Sequence, residues 1–200
     1  MSFEKVTIEG PAGRLEGAFS DHGDAAVAVL CHPHPLYGGT MDDAVLSALS
    51  TALEDAGISV LRFNFRGVGA SEGDHDHGVG EVDDVIAACR WAGERGERLL
   101  LGGYSFGAAA ALRAAEAAGA GALVLAAPPP ALLEGVSAPA VPAVAIYGDR
   151  DAFVDEAALL DVLGDRATYH RVDGADHFFM GFSSALQGAA ADAARVLLGD

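Results

Sequence analysis

The sequence has little positive charge and no long apolar run. Its 200 residues include one lysine, Lys5, and eleven arginines against 29 acidic residues, for a net charge of −17. Clustered cations bind nucleic acids and anionic membranes, so this charge excludes both as expected partners. No stretch approaches the roughly 18 consecutive apolar residues of a spanning helix. The first residues, MSFEKVTIEG, lack the basic and then apolar segments of a secretory signal, so we expect a cytoplasmic protein.

The two cysteines are too few for a disulfide framework. Cys31 lies in an apolar run and Cys89 in a helical pattern, where each is expected to be a small buried residue in a reducing compartment. The scarcity of lysine, the many small residues and the dispersed carboxylates resemble proteins of salt-loving archaea, whose acidic surfaces stay hydrated in concentrated salt. An ordinary acidic protein from a GC-rich genome is the alternative.

Short apolar runs alternate with helix-length amphipathic segments along the chain. The first two runs, VTIE and RLEGAF, are joined by GPAG and predict an antiparallel hairpin at a sheet edge. Six further apolar runs lie at 25–31, 58–65, 97–104, 121–128, 141–148 and 167–174. Amphipathic segments lie near 42–56, 80–95, 106–118, 155–163 and 184–198. The alternation predicts an α/β fold, a mostly parallel sheet with helices on both faces, in a single domain of residues 1–200.

The segment GYSFG, residues 103–107, places GxSxG between an apolar run and a helical pattern. On a sharp strand-to-helix turn the residues two before and two after the serine must be nearly free of side chain, as Gly103 and Gly107 are. The turn would raise Ser105 above the sheet and place the N–H of Phe106 at a helix N-terminus, where it can stabilise an anion. Ser105 is therefore the predicted nucleophile. A glycine-rich helix start with a serine cap is the alternative.

A serine nucleophile needs a base, and the base needs an orienting acid. After this motif the acid is expected first and the histidine second, each in a loop that follows a strand. His177 is the predicted base, because the other candidate, His170, lies within an apolar run. Asp151 is the predicted acid, since Asp149 is better suited to hydrogen bonding within its own turn. Three further carboxylates are alternatives: Asp155, Glu134 and Asp176.

Several of these segments resemble one family. GGYSFGA, YGDRDAFVD and GADHFF are similar to the nucleophile, acid and histidine segments of the α/β-hydrolase family, and FNFRGVGASEG is similar to the RGxGxS turn of many members. The match spans about residues 25–182. The resemblance implies an α/β-hydrolase fold and the same assignment of Ser105, Asp151 and His177.

Two other segments, CHPHPLYGGTMDD and DHGVGEVDD, resemble a small subgroup of that family, akin to dienelactone hydrolases and described as serine esterases. Members of the subgroup have no lid, and the proline-rich residues 128–140 are too few for a lid domain, so we expect an open site. Dienelactone hydrolases themselves use a cysteine nucleophile. The serine at position 105 therefore argues against dienelactone as the substrate.

The segment CHPHPLYGGT, residues 31–40, follows the first long apolar run, at the same sheet end as Ser105. A loop there is expected to donate the second amide of an oxyanion hole, beside the N–H of Phe106. Pro33 and Pro35 have no N–H and stiffen the loop. The remaining candidate donors are His34, Leu36 and Tyr37. The analogous residue of related enzymes, which follows an HG pair, favours His34.

Apolar side chains are frequent in the same loops. An apolar pocket lined by aromatic and aliphatic side chains would suit an acyl group. The predicted substrate-binding residues are Leu36, Tyr37, Phe153 and Phe178.

Histidines and carboxylates are concentrated in residues 71–84, but their spacing does not complete a closed set of metal ligands. The simpler interpretation is a surface loop that leads into a helix with acidic residues in its first turn. His32 and His34 also have no third ligand nearby in the sequence. Arg66 is expected to tie loops together through its several donors. We therefore expect neither a metal nor a cofactor.

The predicted function is hydrolysis of a small carboxylic ester or thioester through an acyl-enzyme. A serine peptidase or an acyltransferase on the same fold is one alternative, although amide cleavage requires firmer substrate alignment. A non-catalytic binding protein with the same fold is the other alternative. The expected partner is a small molecule.

Overall fold

The amino-terminal hairpin forms one edge of an eight-stranded sheet in a computed structural model that describes residues 3–199. Strand β1 (Glu4–Gly10) pairs antiparallel with β2 (Gly13–Ser20), with Glu4 opposite Phe19. Strand β2 also pairs antiparallel with β4, so the hairpin continues the sheet.

The other six strands run parallel to one another. They are β3 (Val27–Cys31), β4 (Ser59–Phe63), β5 (Leu99–Tyr104), β6 (Ala122–Ala126), β7 (Ala143–Gly148) and β8 (Ala167–Val172). Their order in space is β1-β2-β4-β3-β5-β6-β7-β8. All but the edge strand β8 are buried along almost their whole length, which explains continuous apolar runs such as VAVLC and ALVLA.

Helices cover both faces of the sheet. They are α1 (Ala44–Asp55), α2 (Gly80–Gly93), α3 (Phe106–Ala118), α4 (Glu156–Leu163) and α5 (Ser183–Leu198). Helices α2, α3 and α4 contribute to the apolar core on one face, and α1 and α5 to the core on the other. Within residues 3–199, no helix combines the length and apolar character needed to cross a membrane.

The observed elements confirm the predicted fold class. Every strand and α-helix begins and ends within two residues of the bounds expected from the sequence. All of the described elements join or cover one sheet, which supports the proposal of a single domain. The parallel strands all end at the same edge, so the loops that follow β3, β5, β7 and β8 lie where α/β proteins form ligand sites.

Both cysteines are buried and free, on β3 for Cys31 and on α2 for Cys89. Burial raises the pKa of Cys89 to about 12 and raises that of Cys31 as well. Both therefore stay protonated at neutral pH, and they pack as small core residues.

Candidate active site

The turn between β5 and α3 holds Ser105 in a strained conformation. Its φ of 54° and ψ of −117° are backbone angles that residues with a side chain rarely adopt. A Cβ on Gly103 would clash with the backbone of Gly107, and a Cβ on Gly107 would clash with the carbonyl oxygen of Cys31. The two glycines are therefore a steric requirement of the turn. The Ser105 N–H donates to the carbonyl of Ala126 at 2.9 Å, which anchors the turn to β6.

The free energy of unfolding of Ser105→Gly is expected to be about 1 kcal/mol higher than that of Ser105→Ala. Glycine adopts this conformation without the strain of a Cβ, and the larger entropy of its unfolded chain offsets only part of that gain. Chemical denaturation of the two variants measures the difference. A Ser105→Gly protein less stable than Ser105→Ala would show that the turn is not strained.

Ser105 lies at one end of a series of hydrogen bonds. Its Oγ is 2.9 Å from Nε2 of His177, and Nδ1 of His177 is 2.7 Å from Oδ2 of Asp151. The other oxygen of Asp151 accepts the N–H of Phe153 at 2.8 Å. An ionised carboxylate only accepts, so Nδ1 of His177 carries the proton and Nε2 is free to accept from the serine hydroxyl. The structure thus brings together the predicted nucleophile, base and acid, and both the imidazole and the carboxylate are buried.

Asp149, Asp155 and the alternative base His170 have other contacts. Asp149 accepts the N–H of Gly174 at 2.6 Å and so ties the turn after β7 to the loop after β8. Asp155 caps α4. His170 lies on β8, and its Nε2 is 2.9 Å from Asp192 on α5. These contacts support Asp151 and His177 over the neighbouring candidates.

Tyr104, the residue before Ser105, holds the backbone of the candidate base. Its hydroxyl donates to the carbonyl oxygen of His177 at 2.9 Å, and burial raises the pKa of Tyr104, so the hydroxyl stays a donor. Sequence reasoning did not single out this residue. The sequence signal that could have identified Tyr104 is its place at the end of a buried strand, because a buried tyrosine hydroxyl needs a hydrogen-bond partner.

Phe153 and Phe178 flank the imidazole of His177, with ring centroids at 4.8 Å and 5.7 Å from it. They are 61% and 63% exposed, although both are large apolar residues. Leu36 and Tyr37, in the loop after β3, are 64% and 87% exposed. The four predicted substrate-binding residues are therefore accessible in the loops after β3, β7 and β8.

The loop after β3 contains a short 3₁₀ turn, Pro35–Tyr37. Nδ1 of His34 accepts the N–H of Leu36 at 3.2 Å, and the N–H of Tyr37 donates to the carbonyl of His34 at 3.1 Å. In the part of the chain that the structure describes, the N–H of His34 itself has no hydrogen-bond partner. The geometry therefore favours His34 over Leu36 and Tyr37 as an amide donor to an anion. Phe106 begins α3, where N–H groups lack intrahelical partners.

His32 fixes the start of this loop. Its Nε2 accepts the N–H of Phe65 at 3.0 Å, so Nδ1 carries the proton and donates to the carbonyl of Pro33 at 2.6 Å. Burial lowers the pKa of His32 to about 4, and the ring is neutral at pH 7. Its two ring nitrogens thus bond the backbone of two loops, the one after β3 and the one after β4.

The acidic stretch of residues 71–84 is held together by internal contacts. Glu81 accepts the N–H groups of Asp76 and Gly78, each at 2.8 Å. Arg66 contacts both oxygens of Asp84, at 2.9 Å and 2.7 Å, and so ties the loop after β4 to α2. Across residues 3–199, no three His, Cys, Asp or Glu side chains are grouped so as to hold a metal ion.

The sheet order and the serine turn are those of an α/β hydrolase, and comparison with known proteins agrees. A family model described as an alpha/beta hydrolase domain matches residues 25–193, and the chain belongs to that family.

Three relatives are similar to this chain over most of their length, and two of them are described as α/β serine hydrolases. A solved α/β serine hydrolase homologue from Coxiella burnetii is 34% identical, with a TM-score of 0.87 over 96% of this chain and 97% of that one. An α/β serine hydrolase without a lid from Xanthomonas campestris is 36% identical, with a TM-score of 0.87 over 98% and 94% of the two chains. An uncharacterized protein of Rickettsia prowazekii is 34% identical and aligns with 88% of this chain and 82% of its own length. The expected resemblance to small lidless serine hydrolases is confirmed.

Proposed function

We propose that the protein hydrolyses a small carboxylic ester or thioester through an acyl-enzyme formed on Ser105. The observation that carries this proposal is the hydrogen-bonded series from Ser105 through His177 to Asp151, at 2.9 Å and 2.7 Å. That geometry matches the order nucleophile, general base and orienting acid. The strained turn supports it further, because a residue other than glycine held at a positive φ, as Ser105 is, is typical of functional sites.

In the first half of the reaction, Oγ of Ser105 attacks the substrate carbonyl carbon as its proton passes to Nε2 of His177. The N–H groups of Phe106 and His34 stabilise the oxyanion that forms. The carboxylate of Asp151 stabilises the imidazolium and keeps its ring oriented. His177 then gives the proton to the departing alkoxide or thiolate, and the acyl group stays on Ser105.

In the second half, His177 takes a proton from water, and the oxygen of that water attacks the acyl carbon. The same two amides stabilise the second oxyanion. The bond to Oγ of Ser105 then breaks, the serine recovers its proton from Nε2 of His177, and the carboxylic acid leaves. Atoms and charges balance without any further reactant.

The exposed apolar residues support a substrate with an apolar acyl or alcohol group. Phe153 and Phe178 lie beside the base, and Leu36 and Tyr37 belong to the proposed oxyanion loop. Exposed apolar side chains beside a site are typical of a surface that contacts a ligand. We propose these four as substrate contacts.

A fluorophosphonate probe tests the nucleophile directly, because it phosphonylates an activated serine. We expect stoichiometric labelling, mapped to the Ser105 peptide by mass spectrometry, and hydrolysis of p-nitrophenyl esters with acyl chains of two to eight carbons. The matching p-nitroanilides should react far more slowly, which separates an esterase from a peptidase. Assays at low salt and in molar KCl also test whether the activity depends on salt, as the halophile-like composition would predict. A wild-type protein that is labelled in neither condition would overturn the assignment as a serine hydrolase.

A further inference from the structure

A group of rings borders the proposed oxyanion loop. The centroid of the His34 ring is 4.8 Å from that of Tyr37, 4.8 Å from that of Phe106 and 5.2 Å from that of His75. Phe106 is the other proposed oxyanion donor, so the His34 side chain packs between the two sides of the proposed site. Its position is set by packing as well as by hydrogen bonding.

The hydrogen bonds of His34 depend on its protonation. Nδ1 of His34 accepts the N–H of Leu36. The backbone carbonyl of His34 accepts the N–H groups of Tyr37 and Gly39, at 3.1 Å each. A ring nitrogen accepts only when it carries no proton, and both nitrogens are protonated in the imidazolium. The contact with Leu36 is therefore available to the neutral ring alone. Protonation would place two N–H groups against each other.

The surroundings of His34 keep it neutral. Burial lowers its pKa, His75 and His77 lower it further, and Glu81 partly opposes them. The groups that face the ring are Tyr37 on its own turn, the two histidines in the loop before α2, Glu81 on α2 and Phe106 on α3.

Glu81 lies beside His75, one of those two histidines. Its Oε1 is 2.7 Å from Nδ1 of His75, and its carboxylate is fully buried. Burial alone would raise the pKa of Glu81, but the N–H groups of Asp76 and Gly78 and the contact with His75 bring it below its usual value. Glu81 thus lies beside His75, whose ring centroid is 5.2 Å from that of His34.

We propose that the neutral imidazole of His34 is a positioning residue for the oxyanion hole. By capping the 3₁₀ turn through Leu36, it holds its own backbone N–H in place to receive the oxyanion, and protonation of the ring releases that amide. The inference rests on the proposed hydrolase function. It predicts that two histidines, His177 as base and His34 as cap, must both be neutral for full activity.

The experiment compares the wild type with His34→Asn and His34→Ala. Asparagine is a good cap acceptor that does not titrate, whereas alanine removes the cap. Hydrolysis of p-nitrophenyl acetate is measured from pH 5 to pH 8, a range in which His32, with a pKa of about 4, stays neutral. His77→Asn makes the same substitution at a neighbouring histidine without a cap role.

At pH 8 we expect kcat of His34→Asn within about threefold of the wild type, and kcat of His34→Ala about tenfold lower with KM nearly unchanged. Complete removal of an oxyanion donor costs about 10²- to 10³-fold, and a displaced donor costs less. On the acid side the logarithm of kcat/KM should fall by more than one per pH unit over part of the range in the wild type and in His77→Asn, because protonation of His34 adds up to about a tenfold loss to that caused by protonation of the base. The slope should be one in both His34 variants.

An equal acid slope in the wild type and His34→Asn, or a His34→Ala protein with wild-type kcat, would overturn the inference while leaving the hydrolase intact. A wild type that neither reacts with fluorophosphonate nor hydrolyses the ester would overturn the proposed function instead. Circular dichroism at each pH confirms that the compared variants are folded. A fall in kcat that asparagine does not rescue would also count against the cap.

Discussion

Ser105→Ala is expected to abolish fluorophosphonate labelling and to lower kcat for p-nitrophenyl acetate by about 10⁴- to 10⁶-fold. The substitution removes the attacking oxygen but leaves the proposed amides of His34 and Phe106, so only weak residual catalysis is expected. Alanine keeps the Cβ and hence the strained backbone with its φ of 54°. The fold and the thermal stability should therefore change little, which steady-state kinetics and a thermal melt together can establish.

Ser184→Ala is the matched control. Ser184 is an exposed serine in the first turn of α5, at the carboxyl side of the His177 loop. Its loss should leave both labelling and kcat at wild-type values. Retention of label and turnover in Ser105→Ala would show that another residue is the nucleophile.

Asp151→Asn is expected to lower kcat by about 10³- to 10⁴-fold with little change in stability. Both carboxylate oxygens are in use, one by the N–H of Phe153 and one by Nδ1 of His177. The amide has a single oxygen, and if that oxygen keeps the Phe153 contact, its NH₂ group faces Nδ1. His177 would then carry its proton on Nε2 and could not accept the proton of Ser105.

Asp149→Asn provides the comparison, two residues away in the same turn. Asp149 accepts the N–H of Gly174 through one oxygen, a contact that an asparagine oxygen can also make. We expect its kcat to stay within about threefold of the wild type, since asparagine is well tolerated in turns. Single-turnover acylation rates for both variants would separate a chemical defect from a binding defect. A deep loss in Asp149→Asn with a mild one in Asp151→Asn would reassign the acid.

The elements of the fold could be predicted because their signals are local. Strands buried on both faces leave apolar runs such as those of β3 and β6, and the helices between them leave amphipathic ones. The turn at Ser105 could be located for the same reason. Both glycines fall within one five-residue motif, although the contact that requires Gly107, with the carbonyl oxygen of Cys31, comes from a distant part of the chain.

Two of the features that could not be predicted join distant parts of the chain, and the third is the hydrogen bonding within one short loop. Strand β4 lies between β2 and β3, an order that sequence periodicity does not encode. Tyr104 reaches the backbone of His177 across 73 positions. Which of His34, Leu36 and Tyr37 has an N–H available for an oxyanion depends on which N–H groups bond within the 3₁₀ turn itself. Residue types alone do not reveal that bonding.

The order of the strands along the chain also bears on biosynthesis. The proposed nucleophile follows β5, whereas the proposed acid follows β7 and the proposed base follows β8, the last strand. A ribosome-bound chain that has emerged only through α3 carries a serine with no partner to activate it. The proposed chemistry therefore becomes possible only when the last quarter of the polypeptide has joined the sheet, and incomplete chains would lack the proposed activity.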